Sequence, residues 1–249
     1  MKSKHLVSSL LALTLSSTLS QAWGQAIETG TPVTSNVNQE QILSLRQEAI
    51  VPIAALAAAG DLTALKAALN KGLDAGLTIN DGKEVLVQLY AYAGFPRSLN
   101  ALNTLMTVVE ERRAQGIKDK EGKTPSAPIP KGEALLEQGT ANQTKLVGRP
   151  VKGPLFDFAP AADEYLKTHL FGDIFARDNL SWQNRELATL AMLSALPGAE
   201  PQLKAHIGIA MNTGISATHL QQLISVLEKQ VGPEEAERTR VALKQTLSP

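Results

Sequence analysis

The chain has no cysteine in its 249 residues. Disulfides and thiolate chemistry are therefore excluded, and stability must come from packing. Aromatic residues are scarce, at 4%, whereas the apolar fraction is 43% and is carried mostly by Ala and Leu. That mixture favours closely packed helices over a β-sandwich, which wants Val, Ile, Tyr and Thr. Neither sign of charge is in excess, since 24 Lys and Arg balance 24 Asp and Glu. With no basic run either, the electrostatic footprint of a nucleic-acid-binding protein is missing. No metal site is suggested by ligand spacing, and no cofactor is expected.

The apolar run near the start, Leu6 to Leu19, is short of the roughly 18–20 residues that span a bilayer. It follows Lys2 and Lys4 and precedes small residues, with cleavage expected after Ala22 or Ala26. Residues 1–26 therefore read as a signal peptide. The mature protein is expected to be exported, periplasmic in a Gram-negative bacterium, with no stable membrane insertion after cleavage. Residues 27–40 are polar and without helical period, which predicts a flexible segment.

From residue 41 to 113 the pattern is helical. Asp61 is the expected N-cap of a helix from Leu62 to Lys71 after a stop at Gly60. Thr78 and Asp81 are placed to cap a helix from Asp81 to Tyr92. Gly94 and Pro96 interrupt the pattern before a helix from Ser98 to Arg113. A shift of 138 positions, without a gap, places Glu48 on Glu186, Gly60 on Gly198, Gly76 on Gly214 and Gly94 on Gly232. Alanines and leucines match by chance in helical sequences; three glycines at helix boundaries point instead to an internal repeat. The expected organisation is a first repeat (41–113), a Pro/Gly-rich linker (114–154) with a short helical piece near Glu133–Gln138, and a second repeat (155–249). Ala161 to Phe171 is expected to be a helix leading into that second repeat.

Within the second repeat, Ser181 caps a helix that is apolar nearly all round and is broken at Pro197-Gly198. Another helix begins near Glu200-Pro201 and ends at Gly214. Taking the turn at Gly198, Glu186 and His206 stand about 18 and 12 Å along antiparallel axes, a difference two side chains can bridge. A carboxylate and an imidazole in a buried hairpin are the parts of an acid–base site. The plainer readings are a glutamate favouring a helix N-terminus and a core histidine bonded to a carbonyl.

The runs RELATLA…LKAHIGIAMNTGIS and QLYAYAGFPRSLNAL resemble the carboxymuconolactone decarboxylase and alkylhydroperoxidase D (AhpD)-like family. The resemblance covers roughly residues 40–113 and 155–245 and implies an all-α fold of two AhpD-like helical repeats. It also implies a homo-oligomer, a trimer or hexamer. Redox relatives carry Cys-x-x-Cys where Ala199 and Gln202 stand, so thiol peroxidase activity is excluded here. The decarboxylase branch implies a cofactor-free lyase or isomerase acting on a small carboxylated lactone or related oxo acid. On that reading His206 is the acid and Glu186 its partner. Tyr90, Tyr92 and Arg97 come from the better-preserved back of the first repeat, while His169 in YLKTHLFGDIF joins the pocket. Arg97 as a solvated surface residue, and His169 as one half of a helix-end salt bridge with Asp173, are the alternatives. For the whole protein the alternative is a non-catalytic binding or scaffold protein that retains the fold.

Overall fold

Capping by short polar side chains sets where each helix begins. The computed structural model describes residues 42–248; the signal-peptide and flexible-segment readings (1–26 and 27–40) lie outside the described residues. Ser44 and Gln47 form a capping box that opens α1 (Leu45–Ala59), and Gly60, at φ 81°, ends it in the left-handed region. Asp61 caps α2 (Leu62–Asp74), accepting from the Ala64 N–H at 2.9 Å. Thr78 and Asp81 form a second capping box that opens α3 (Ile79–Gln88). The predicted start at Asp81 is therefore late: with Thr78 as the cap, Ile79 is already helical. After Leu89 the helical backbone resumes as α4 (Tyr90–Ala114), broken at Gly94, whose φ of 82° and ψ of 161° are open only to glycine.

The segment between the repeats, read from sequence as a linker with a short helical piece near Glu133–Gln138, carries a longer helix than that. Its first part is fastened to the first repeat. Arg112 forks onto Asp119 with two bonds of 2.8 Å, and the Ile79 and Asn80 N–H groups donate to the Lys120 and Glu121 carbonyls. Its second part is α5 (Glu133–Val147), a helix of 15 residues. The run Thr140–Thr144 has weak helix propensity, so local sequence underestimates α5. Tertiary contacts hold it: Leu146 is buried, and Asn142 donates to the Phe171 carbonyl at 2.8 Å. Two short helices follow, α6 (Pro154–Phe158) and α7 (Pro160–Tyr165). α7 runs into a π-helical stretch, Leu166–Ile174, where the sequence pattern predicts an ordinary helix. α5 lies so close to this stretch that a Cβ on Gly139 would stand 1.9 Å from the Lys167 carbonyl oxygen.

The second repeat comprises α8 (Trp182–Ser194), α9 (Glu200–Asn212), α10 (Ala217–Gln230) and α11 (Pro233–Leu247). The 138-residue shift carries α2 onto α9 end for end. Gly60 and Gly76 have φ of 81° and 91°; their counterparts Gly198 and Gly214 have 87° and 99°. The Thr78–Asp81 capping box recurs as Ser216–His219, which accounts for His219. The chain is thus a duplicated, all-α arrangement, with no strand among the described residues.

The repeats meet chiefly through α1 and α8. Each has a long unbroken buried run, Ile50 to Ala58 in α1 and Arg185 to Ser194 in α8. The abundance of alanine lets the two backbones approach closely and bury aliphatic neighbours around them. Charged side chains on α8 are therefore forced into the core, where each needs a partner.

Candidate functional site

Glu186 sits in the second turn of α8 and His206 in the middle of α9, the two arms of one helical hairpin. His206 Nδ1 lies 2.8 Å from Glu186 Oε2. Glu186 is fully buried, and His206 keeps only 8% of its surface exposed. The other carboxylate oxygen, Glu186 Oε1, is buried without a hydrogen-bond partner. His206 Nε2 makes no hydrogen bond among the described residues. The pair therefore has one internal bond, a spare acceptor and, among the described residues, an unshared ring nitrogen.

The first repeat contributes the next wall. The Tyr92 ring stands edge-on to His206, with centroids 5.8 Å apart and planes at 76°. Tyr92 lies just before the Gly94 kink, so the kink sets how α4 leaves the site. Burial pushes the Tyr92 phenol up from its ordinary value, and the Glu186 carboxylate pushes it further. The phenol stays a neutral O–H at physiological pH.

Behind Tyr92 runs a buried polar chain joining α3 to α8. Arg185, the largest fully buried side chain, donates through Nη2 to Glu84 Oε2 at 2.9 Å and to the Arg177 carbonyl at 3.0 Å. Arg177 forks onto the same carboxylate from outside, at 2.6 and 2.9 Å. Gln88 Nε2 donates to the Arg185 carbonyl (3.0 Å) and to Thr189 Oγ1 (2.8 Å). The Thr189 hydroxyl donates to Tyr92 Oη at 3.1 Å. Burial alone would push the Glu84 carboxyl up, but hydrogen bonds from Arg177, Asn179 and Arg185 outweigh it and hold the group at about 2. Burial pulls Arg185 down from its ordinary value, although Glu84 opposes this. The outer end of the chain reaches a surface groove of about 610 Å³ between α3 and α4, lined by Glu84, Arg177, Val87 and Met106. The Glu186–His206 pair lies outside that groove.

No hydrogen bond, ion pair or ring contact joins the remaining expected site residues to the pair, among the described residues. Tyr90 stacks on Phe95, with centroids 4.5 Å apart, and packs on the cluster formed by Phe171 and Ile174. Burial, with the Asp173 charge nearby, raises its phenol. His169 is exposed and pairs with Asp173 at 3.0 Å, as their four-residue spacing predicts. Arg97 is exposed beside Gly60 and makes no hydrogen bond or ion pair with Glu186 or His206. No three His, Asp or Glu side chains converge as a metal site would require, among the described residues. Sequence reading missed Glu84, Gln88, Arg185 and Thr189. A signal existed: Arg185 interrupts a helix otherwise read as apolar all round, and a buried arginine demands a carboxylate.

Two comparisons bear on this arrangement. The family model described as the carboxymuconolactone decarboxylase family matches residues 31–105 and 160–244, together more than half of the chain. A 4-carboxymuconolactone decarboxylase from Acinetobacter baylyi is 29% identical over 97 residues, covering 37% of this chain and 71% of that protein.

Proposed function

Because the chain belongs to the carboxymuconolactone decarboxylase family, we infer that it is an acid–base lyase or isomerase for a small carboxylated lactone or a related oxo acid. The observation that carries this reading is the buried Glu186–His206 pair, with its 2.8 Å bond and unshared imidazole nitrogen. In a decarboxylation the bond between carbon and the carboxylate breaks, carbon dioxide leaves, and the electron pair passes into a conjugated enolate. His206 Nε2 then delivers a proton to carbon, and Glu186 holds Nδ1 and stabilises the imidazolium before transfer.

The lysines and short apolar run of residues 1–26 support export to the periplasm. Exposed apolar side chains on α4, Phe95, Leu99 and Met106, support association of copies through that face.

The test is carbon dioxide release from 4-carboxymuconolactone by the wild type and by His206→Ala. Loss of release in the variant is expected. Equal rates remove His206 as the acid, and no turnover of any lactone tried leaves the non-catalytic binding protein.

A further inference from the structure

Arginine has five donors and no acceptor. Arg185 therefore orients the Gln88 amide beside it. Its Nη1 donates to Gln88 Oε1 at 3.4 Å, which turns the Gln88 amide nitrogen toward the Arg185 carbonyl and Thr189 Oγ1. Thr189 accepts from Gln88 and sends its own proton to Tyr92 Oη. Tyr92 is thus an acceptor toward Thr189, and its own proton has no acceptor among the described residues. Beside its ring stand His206, with Nε2 unshared, and Glu186, with Oε1 buried and unpartnered. The second repeat alone has no such relay at the shifted positions, where Gln222, Val226 and Gln230 replace Glu84, Gln88 and Tyr92.

We propose that Tyr92 donates its hydroxyl proton to an oxygen of the bound ligand that becomes negatively charged, with Thr189, Gln88 and Arg185 as positioning residues that keep the proton pointed that way. The ligand class is a carbonyl compound able to form an enolate; a ligand presenting a donor at that point would meet another donor. The proposal rests on the acid–base reading of the Glu186–His206 pair. Its partner suits it, because a neutral phenol held by the buried Thr189 hydroxyl stabilises developing charge without reorganisation.

The first substitution is Gln88→Glu. It is nearly isosteric and lies beside the Arg185 guanidinium, but a carboxylate cannot donate to Thr189. Thr189 must then donate to the introduced carboxylate, and Tyr92 turns its proton back toward Thr189. Gln88→Glu also removes the donor to the Arg185 carbonyl, so Thr189→Val against Thr189→Ser, which leave that bond in place, is what separates a direction-setting role from a structural one. Two readouts are needed: turnover of 4-carboxymuconolactone, and binding of 4-nitrophenolate followed by its absorption band. Tyr92→Phe and Gln88→Glu are both expected to lower kcat by ~100-fold or more with KM little changed, and to weaken 4-nitrophenolate binding ~10-fold. In the Thr189 pair, which also decides if Gln88→Glu fails to unfold cooperatively, the hydroxyl-bearing variant is expected to recover most of what the other loses. Wild-type kcat in Gln88→Glu, or wild-type 4-nitrophenolate binding in Tyr92→Phe, overturns the proposal. So does a wild type that does not bind 4-nitrophenolate. Binding that depends on Tyr92 in a protein that turns over no lactone upholds the donor and removes the lyase reading. Turnover unchanged by Tyr92→Phe does the reverse.

Discussion

Tyr92 of the first repeat and His206 of the second stand edge to face, 5.8 Å between ring centroids, within one chain. The candidate site therefore draws side chains from two copies of the same helical unit. Its hairpin carries the titratable pair, and the opposite repeat carries the aromatic wall and the polar chain behind it.

The imidazole depends on its carboxylate. Glu186→Gln keeps the shape but removes the charge that stabilises the imidazolium. A fall in kcat of ~10- to 100-fold is expected, with His206→Ala at the severe end of the general-acid range, ~100- to 10,000-fold. Steady-state decarboxylation assays check the order of the two effects.

Glu84 makes stability depend on acid. Its carboxyl is held at about 2 in the folded protein against an ordinary 4.5. A depressed carboxyl contributes stability that is present above 4.5 and is lost as pH falls from there toward 2. Urea midpoints at pH 6, 4.5 and 3 should show this decline. Glu84→Gln should flatten it and, at neutral pH, cost about 3–5 kcal/mol because Arg185 is left buried and unpaired. A midpoint unchanged by the substitution would remove Glu84 as the partner that matters.

Gly94 holds a backbone conformation of φ 82° and ψ 161°. Gly94→Ala is expected to cost about 1–3 kcal/mol in strain alone, because a Cβ there has adequate room but the wrong dihedral angles. Relief of that strain would move Tyr92, so activity should fall together with the denaturation midpoint.

Gly139 permits the contact between α5 and the π-helical stretch. Gly139→Ala would place a methyl 1.9 Å from the Lys167 carbonyl oxygen, which forces the two backbones apart. Loss of a few kcal/mol is expected, on the order of other overpacking changes. Gly116→Ala, with nothing within 4 Å of its added Cβ but with φ 81°, should show the smaller cost of backbone strain alone. Thermal unfolding of the two variants side by side separates the steric effect.

Much of the fold was legible because its punctuation is local. Gly60 and Gly214 close helices and Gly198 turns the chain between α8 and α9, by conformations that few other residues adopt, and Asp61, Thr78 and Ser181 begin helices by capping. The Glu186–His206 contact was legible because a short turn fixes how two antiparallel helices register. α5 was not, since its polar middle is helical only through contacts with residues some thirty positions away, such as Asn142 with Phe171. The relay behind Tyr92 was not legible for the same reason. Glu84 and Arg185 are 101 positions apart, and nothing in either neighbourhood names the other.

The backbone of the two repeats keeps its correspondence, but the side chains of the site do not. Ala68 stands where His206 would require its twin, and Gln230 where Tyr92 would. Stoichiometry follows from this asymmetry. A chain with two matching units should saturate at a single equivalent of ligand, and titration calorimetry should find one class of binding event per polypeptide rather than two.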